Sequence, residues 1–319
     1  MLTGPSPEGP ELLRPAFRIA AIVVPGAALL WFAARRIRLT LGLAACLALP
    51  ILEAANTQVT VRDFFGVLRI VQIPADEVVI LQHGTTVHGV QGKRIGEDMT
   101  PLGYYDRAGA FGRVFAALAK RPTPISSVGV VGLGTGALGC YARPGEDWTF
   151  YEIDPMVERL ARDKRWFNFM ADCGNHPSVV LGDARINLAA NPVAQYDLLV
   201  LDAFSSDSIP MHLITREALA LYFTHLKPGG MLLLHVSNRY LNLVPVIARL
   251  AADAGAPVLH LKVSAGSDTL RHSGVEALAL AAPGGGLDAL TIDGWDKVQP
   301  GPVLWTDDRS DVLGVIRWR

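Results

Sequence analysis

Three apolar runs in this chain end in carboxylates. Glu152 and Asp154 close "WTFYEID", Asp183 closes "SVVLGD" and Asp202 begins the end of "YDLLVLDAF". A fourth run, "SVGVVGLGTG", ends in Gly132, Gly134 and Gly136 instead. Glycines after a Val-rich strand let backbone approach a ligand where a Cβ would clash. Glu152 and Asp154 lie 18–20 residues past Gly134, where a carboxylate can accept both hydroxyls of a ribose. Asp154 also suits the start of a helix. Asp183, with Ala184 beside it, is placed to accept the exocyclic amine of adenine. No phosphate-binding Lys or Arg lies near these acids, which points to a nucleoside without a phosphate chain, such as S-adenosylmethionine or a relative. A nicotinamide-dependent reductase fits less well, because residue 137 is Ala where the GxGxxG fingerprint expects its last glycine.

Asp202 and Asp207, five residues apart, would stand beside the sulfonium of such a ligand. They could orient a cationic amine and take up its proton. An aliphatic amine is mostly protonated at neutral pH and attacks only after losing that proton. Aligning amine, carbon and sulfur for in-line displacement would lower the barrier further. Two further groups are candidates for the substrate side. His83 and His88 are spaced to lie on opposite faces of a single strand, against joint metal binding, with one of them near the substrate. Asp307, Asp308 and Asp311, near Trp305, either hold a cationic substrate or form a solvated turn.

These residues need strand ends to position them. From Ser127 onward, strands alternate with helices: "SVGVVGLG", "WTFYEID", "SVVLGD", "YDLLVLDAF" and "MLLLHVS", then "PVLHLKV" and "EALALAA". That alternation predicts an α/β fold with a doubly wound, mostly parallel, Rossmann-like sheet of class I methyltransferase type. Ligands in such sheets sit at the carboxyl ends of the strands. A helix is expected from about Gly136, directly after the glycines. Before this domain, Val59 to Gln91 reads as a small antiparallel β-region with "PADE" as a turn, followed by a loop and a helix over about Gly109–Lys120.

The N-terminus differs in composition. Ile19–Ala34 and Leu39–Leu52 are uncharged apolar runs of 16 and 14 residues, separated by Arg35, Arg36 and Arg38. A spanning helix needs roughly 17–25 residues, so each run is slightly short. An apolar helical hairpin inserted in or anchored to a membrane is favoured over a buried helical pair or a cleaved signal peptide. The expected organisation is 1–56 membrane-associated, 57–121 β-region and substrate loop, and 122–319 adenosyl-binding domain, the last facing the cytoplasm. The chain has 319 residues, a net charge of −1, and only 18% charged residues, so no basic field draws in nucleic acid. Cys46, Cys140 and Cys173 form no CxxC or Cys/His cluster. Neither a disulfide framework nor a structural zinc is expected, and a reducing compartment is.

Taken together, "VGVVGLGTGALG", "YEID", "LGDA" and "LDAFSSDS" resemble the spermidine synthase family of polyamine aminopropyltransferases, over about Phe64 to Leu243. The segments "RDFFGVLRI", "LQHGTTVHGVQ" and "PLGYYDRAGAFGRVF" are similar to a branch that carries apolar helices before this domain. The resemblance implies that Glu152 binds ribose hydroxyls and Asp183 the adenine amine. It implies Asp202 as the catalytic acid/base and Asp207 as a ligand of the substrate amine. Tyr104 and Tyr105 fall in the family's tyrosine-containing substrate motif, and Gln91 at the end of the preceding β-motif, near His88. Thr135 stands where the family's glycine loop carries an acid, "PLGYYDRAG" lacks that motif's acids, and the "LDAFSSDS" loop is two residues longer. The implied co-substrate is decarboxylated S-adenosylmethionine or S-adenosylmethionine itself, without metal. The expected partners are a putrescine-like amine, membrane lipid and a second copy of the chain. The same pocket could instead serve methyl transfer, cyclisation or elimination of S-adenosylmethionine, or sensing of a nucleoside without turnover.

Overall fold

The computed structural model describes residues 37, 40–42, 44, 56–97, 99–173, 176–191, 195–203, 210–290 and 294–317. The chain divides into two compact units, residues 1–57 and 58–319. The few described positions of the first unit, between 37 and 44, are helical. The rest of the two apolar runs lies outside the described residues. Among the described residues no helix is long and apolar enough to cross a membrane. In the second unit the β-region and the adenosyl-type domain expected from the sequence cluster as one body.

The β-region is a four-stranded sheet of β1 (Thr57–Arg62), β2 (Val67–Ile73), β3 (Val78–His83) and β4 (Thr86–Gly92), in that order. The pairs β2–β3 and β3–β4 are antiparallel, as the short turn sequences dictate. Behind it, a 3-10 turn at Gly103–Tyr105 leads into α1 (Ala110–Ala119). Phe111, Val114, Phe115 and Leu118 recur at helical spacing on α1 and are buried.

The large sheet has eight strands. They are β5 (Ser127–Val131), β6 (Asp147–Glu152), β7 (Ser178–Leu181), β8 (Tyr196–Leu201), β9 (Leu226–His235), β10 (Val258–Val263), β11 (Val275–Ala281) and β12 (Asp296–Lys297). Their order is β12-β10-β11-β9-β8-β5-β6-β7. Strands β5 to β9 pair in parallel. The sheet is nevertheless mixed, because β11 inserts antiparallel between β9 and β10. Both β10 and β11 are apolar runs, so composition alone could not say which of them is reversed. Helices α2 (Pro155–Ala161), α3 (Phe169–Asp172), α4 (Ala184–Ala190), α5 (Arg216–Thr224) and α6 (Val244–Asp253) lie in the connections. Residues such as Val130, Leu199, Val200 and Leu233 are fully buried, and the two large apolar clusters include residues of this sheet. Near-continuous apolar strands of this kind are expected where a sheet is covered on both sides.

Two local expectations are corrected. After the glycines the chain forms only a 3-10 segment, Ala137–Tyr141, rather than a full helix. Cys140 at its end and Cys173 after α3 form a disulfide, with Cα atoms 4.7 Å apart and a sequence separation of 33. The contact depends on α3 packing under the glycine loop, where a Cβ on Gly136 would meet Met170. No spacing rule shows that packing. Cys46 lies outside the described residues.

Candidate functional site

The carboxyl ends of β5, β6, β7 and β8 meet in a cavity of about 290 Å³, covered on one side by Leu68, His83 and His88 of the small sheet and by Phe65 between β1 and β2. Two glycines make the convergence sterically feasible. Gly132 has φ 98°, and a Cβ there would collide with the Asp202 carbonyl oxygen; Gly134 has φ 55°, and a Cβ there would collide with the His88 carbonyl oxygen. These closest neighbours are the protein's own backbone. Gly132 lets β5 end against β8, and Gly134 lets the loop close on β4. Gly136 lies behind the loop and does not line the cavity.

On the β6 and β7 side, backbone amides fix the acids. Glu152 accepts hydrogen bonds from Leu133 N (2.9 Å) and Asp154 N (2.9 Å). Burial outweighs those amides and raises its pKa to about 7. Asp154 caps α2 by accepting from Met156 N at 2.7 Å. Burial and the neighbouring Asp63 carboxylate push it above the usual range. Asp183 caps α4 by accepting from Ile186 N at 2.9 Å, and its second oxygen faces His212 Nε2 at 2.9 Å. Glu152, Asp183 and Ala184 all line the cavity.

On the β8 side, side chains from distant segments hold the acid. Asp202 is buried, and its Oδ2 accepts a short hydrogen bond from the Tyr105 hydroxyl. Tyr104 donates to the Tyr105 hydroxyl at 3.0 Å and lies 3.5 Å from the same Asp202 oxygen. Burial first, and then the Asp202 charge, push both phenols well above the usual tyrosine range. Both therefore remain protonated donors at neutral pH. The other Asp202 oxygen, Oδ1, faces His235 Nδ1 at 2.7 Å. The tyrosine turn is clamped from outside. Gly103 N donates to Arg271 O at 3.0 Å, and the buried Arg271 guanidinium donates to both oxygens of Glu97 at 2.9 Å.

Other sequence candidates fall elsewhere. His83 and His88 are not split between two faces: a tight turn folds β3 onto β4, and their ring centroids lie 5.5 Å apart on the same cavity wall. Gln91 is fully buried outside the cavity and accepts from Asn168 N at 2.8 Å. Asp307 is engaged by Arg185 through two bonds of 2.7 and 2.5 Å and by Thr215 Oγ1 at 2.7 Å, which lowers its pKa to about 2. Asp308 is exposed and does not line the cavity. Asp207 lies outside the described residues. Sequence reasoning missed His212 and His235. His235 ends the apolar run "MLLLH", so the strand-end rule that singled out the acids would also have pointed to it.

Five parallel strands with one reversed strand inserted beside them, and acids at the strand ends around one cavity, define a Rossmann-like domain of class I methyltransferase type. No family model matches the chain. It is 35% identical over 109 residues, 33% of its length, to a polyamine aminopropyltransferase of Vibrio vulnificus. It is 31% identical over 140 residues, 42% of its length, to a probable polyamine aminopropyl transferase of Bifidobacterium longum. The chain spans only 35% and 28% of the lengths of these two relatives. Its fold is similar to that of a probable spermidine synthase from Corynebacterium glutamicum, with a TM-score of 0.55 at 15% identity, covering 70% of this chain and 79% of that one. The chain therefore shares segments with polyamine aminopropyltransferases and a fold with a probable spermidine synthase.

Proposed function

We propose that this protein is an enzyme that transfers an aminopropyl group from decarboxylated S-adenosylmethionine to a small amine. The observation that carries the reading is the convergence, on one cavity, of strand-end acids suited to an adenosyl group with a buried carboxylate held by two tyrosines. Glu152 would accept the ribose hydroxyls, and Asp183 and Ala184 would face the adenine. Asp202 would receive the proton of the attacking amine. The amine nitrogen forms a bond to the methylene carbon next to the sulfonium as the carbon–sulfur bond breaks. The sulfur keeps that electron pair and leaves as neutral methylthioadenosine, and the released proton passes to Asp202. Because Tyr104 and Tyr105 keep their protons, they would aim the carboxylate rather than compete for the amine's proton. Asp207 is proposed as a further ligand of the amine, and the N-terminal segment as a membrane anchor.

Thr135 supports a second reading. It is fully buried, its hydroxyl has no hydrogen-bond partner among the described residues, and it stands where an acid was expected. With no acid in that loop, the carboxylate that intact S-adenosylmethionine carries beside its amine would meet no like charge there. The test is to incubate purified protein with each donor, with and without putrescine, and to identify the products by mass. Methylthioadenosine with spermidine supports the proposal. Methylthioadenosine formed without amine supports cyclisation or elimination, and S-adenosylhomocysteine supports methylation. No product from either donor overturns the enzymatic reading.

A further inference from the structure

Asp202 has a second set of partners, at the carboxylate oxygen that the tyrosine hydroxyls do not engage. His235, at the end of β9, places Nδ1 2.7 Å from Asp202 Oδ1 and Nε2 2.8 Å from Ser237 Oγ. Ser237 Oγ in turn accepts a hydrogen bond from Glu276 N at 2.8 Å. Tyr104 stacks on the imidazole, with centroids 4.7 Å apart and planes at 26°, and Phe111 meets it edge-on at 5.9 Å. His235 is only 6% exposed, so its ring is fixed from four sides.

This arrangement selects one tautomer. Because Ser237 Oγ already accepts the Glu276 amide, its own hydrogen is available for His235 Nε2. The ring proton then sits on Nδ1 and is donated to Asp202. The opposite neutral tautomer would set two acceptors 2.7 Å apart across the Asp202–His235 contact. A neutral imidazole donating through Nδ1 is a recurrent way to orient a carboxylate.

We propose that His235 is a positioning residue for Asp202. It holds Oδ1 so that Oδ2 stays at the tyrosines and the cavity, with Ser237 fixing the tautomer that allows it. The inference rests on the transferase reading for its kinetic consequence, but the tautomer does not. A carboxylate hydrogen-bonded on one oxygen only could rotate its other oxygen away from the incoming amine. Because His235 acts through Asp202 and does not line the adenosyl cavity, its loss should lower turnover and leave donor binding in place.

The test compares His235→Asn, His235→Leu and Ser237→Ala in the full chain. An Asn side-chain amide can occupy the place of ring Nδ1 and donate the same bond, whereas Leu cannot. Expected are a fall in kcat of about a hundredfold for His235→Leu with KM for the donor within about threefold, recovery to within about tenfold for His235→Asn, and a few-fold loss for Ser237→Ala. Nitrogen-15 spectra of the histidine rings should show His235 protonated at Nδ1 in the wild type at neutral pH. Ring protonation at Nε2, or a folded His235→Leu variant with unchanged kcat, would overturn the inference. So would a His235→Asn variant as impaired as His235→Leu. If the wild type shows no turnover with any donor, the transferase reading fails, and the ring spectrum still decides the tautomer.

Discussion

The two sides of the cavity are built by different means. At the ends of β6 and β7, backbone amides fix the acids: Leu133 N and Asp154 N for Glu152, and Ile186 N for Asp183. At the end of β8, Asp202 is fixed by the side chains of Tyr105 and His235, 97 and 33 residues away in sequence. Backbone amides at strand ends and helix starts come with the fold, so the placement of Glu152 and Asp183 depends on few other side chains. The placement of Asp202 depends on several particular side chains meeting at one carboxylate. That difference separates what should control binding from what should control turnover.

The largest break is expected from Asp202→Asn, which keeps the shape and removes the proposed proton acceptor. Transfer should fall by about a thousandfold, measured as methylthioadenosine formed at saturating donor. Retained turnover would show that another group takes the proton. Tyr105→Phe should cost about ten- to a hundredfold in kcat, the effect of losing one hydrogen bond to a buried charge. Donor KM should hardly move, and a KM change without a kcat change would assign Tyr105 to binding instead.

The Glu152 side should respond to pH. The Glu152 carboxyl is raised to about 7, and under the proposed role it would accept both ribose hydroxyls only when ionised. Nucleoside affinity should therefore strengthen as pH rises through that value, and Glu152→Gln should be weaker and flat with pH. Burial raises this pKa above its ordinary value, so the folded protein holds a proton that the unfolded chain releases between those two values. The same group thus favours the folded state at low pH and loses that contribution as pH rises toward about 7. The smallest effect is expected from Asp307→Asn. Turnover should stay within about twofold, with a stability loss of about 1 kcal/mol or less, because the Arg185 pair is partly exposed. A large loss of activity would return Asp307 to the substrate site.

Much of this could be read from residue order. The strand-ending acids and the glycines between β5 and the 3-10 segment follow from local pattern, and so does the alternation that builds the sheet. The antiparallel insertion of β11, the Cys140–Cys173 disulfide and the joint approach of His83 and His88 depend on which elements pack together. Asp307 misled for a related reason. An acid beside a buried Trp looks available until Arg185, 122 residues away, is seen to engage it. His235 was visible as a strand-end residue, but its role appears only once β9 lies beside β8.

The central claim is that one cavity separates binding from chemistry, and calorimetric titration of methylthioadenosine into wild type, Glu152→Gln and Asp202→Asn tests it most directly. Glu152→Gln should weaken binding about tenfold or more, while Asp202→Asn should stay within about threefold of wild type. Equal losses in the two variants, or a larger loss for Asp202→Asn, would contradict it.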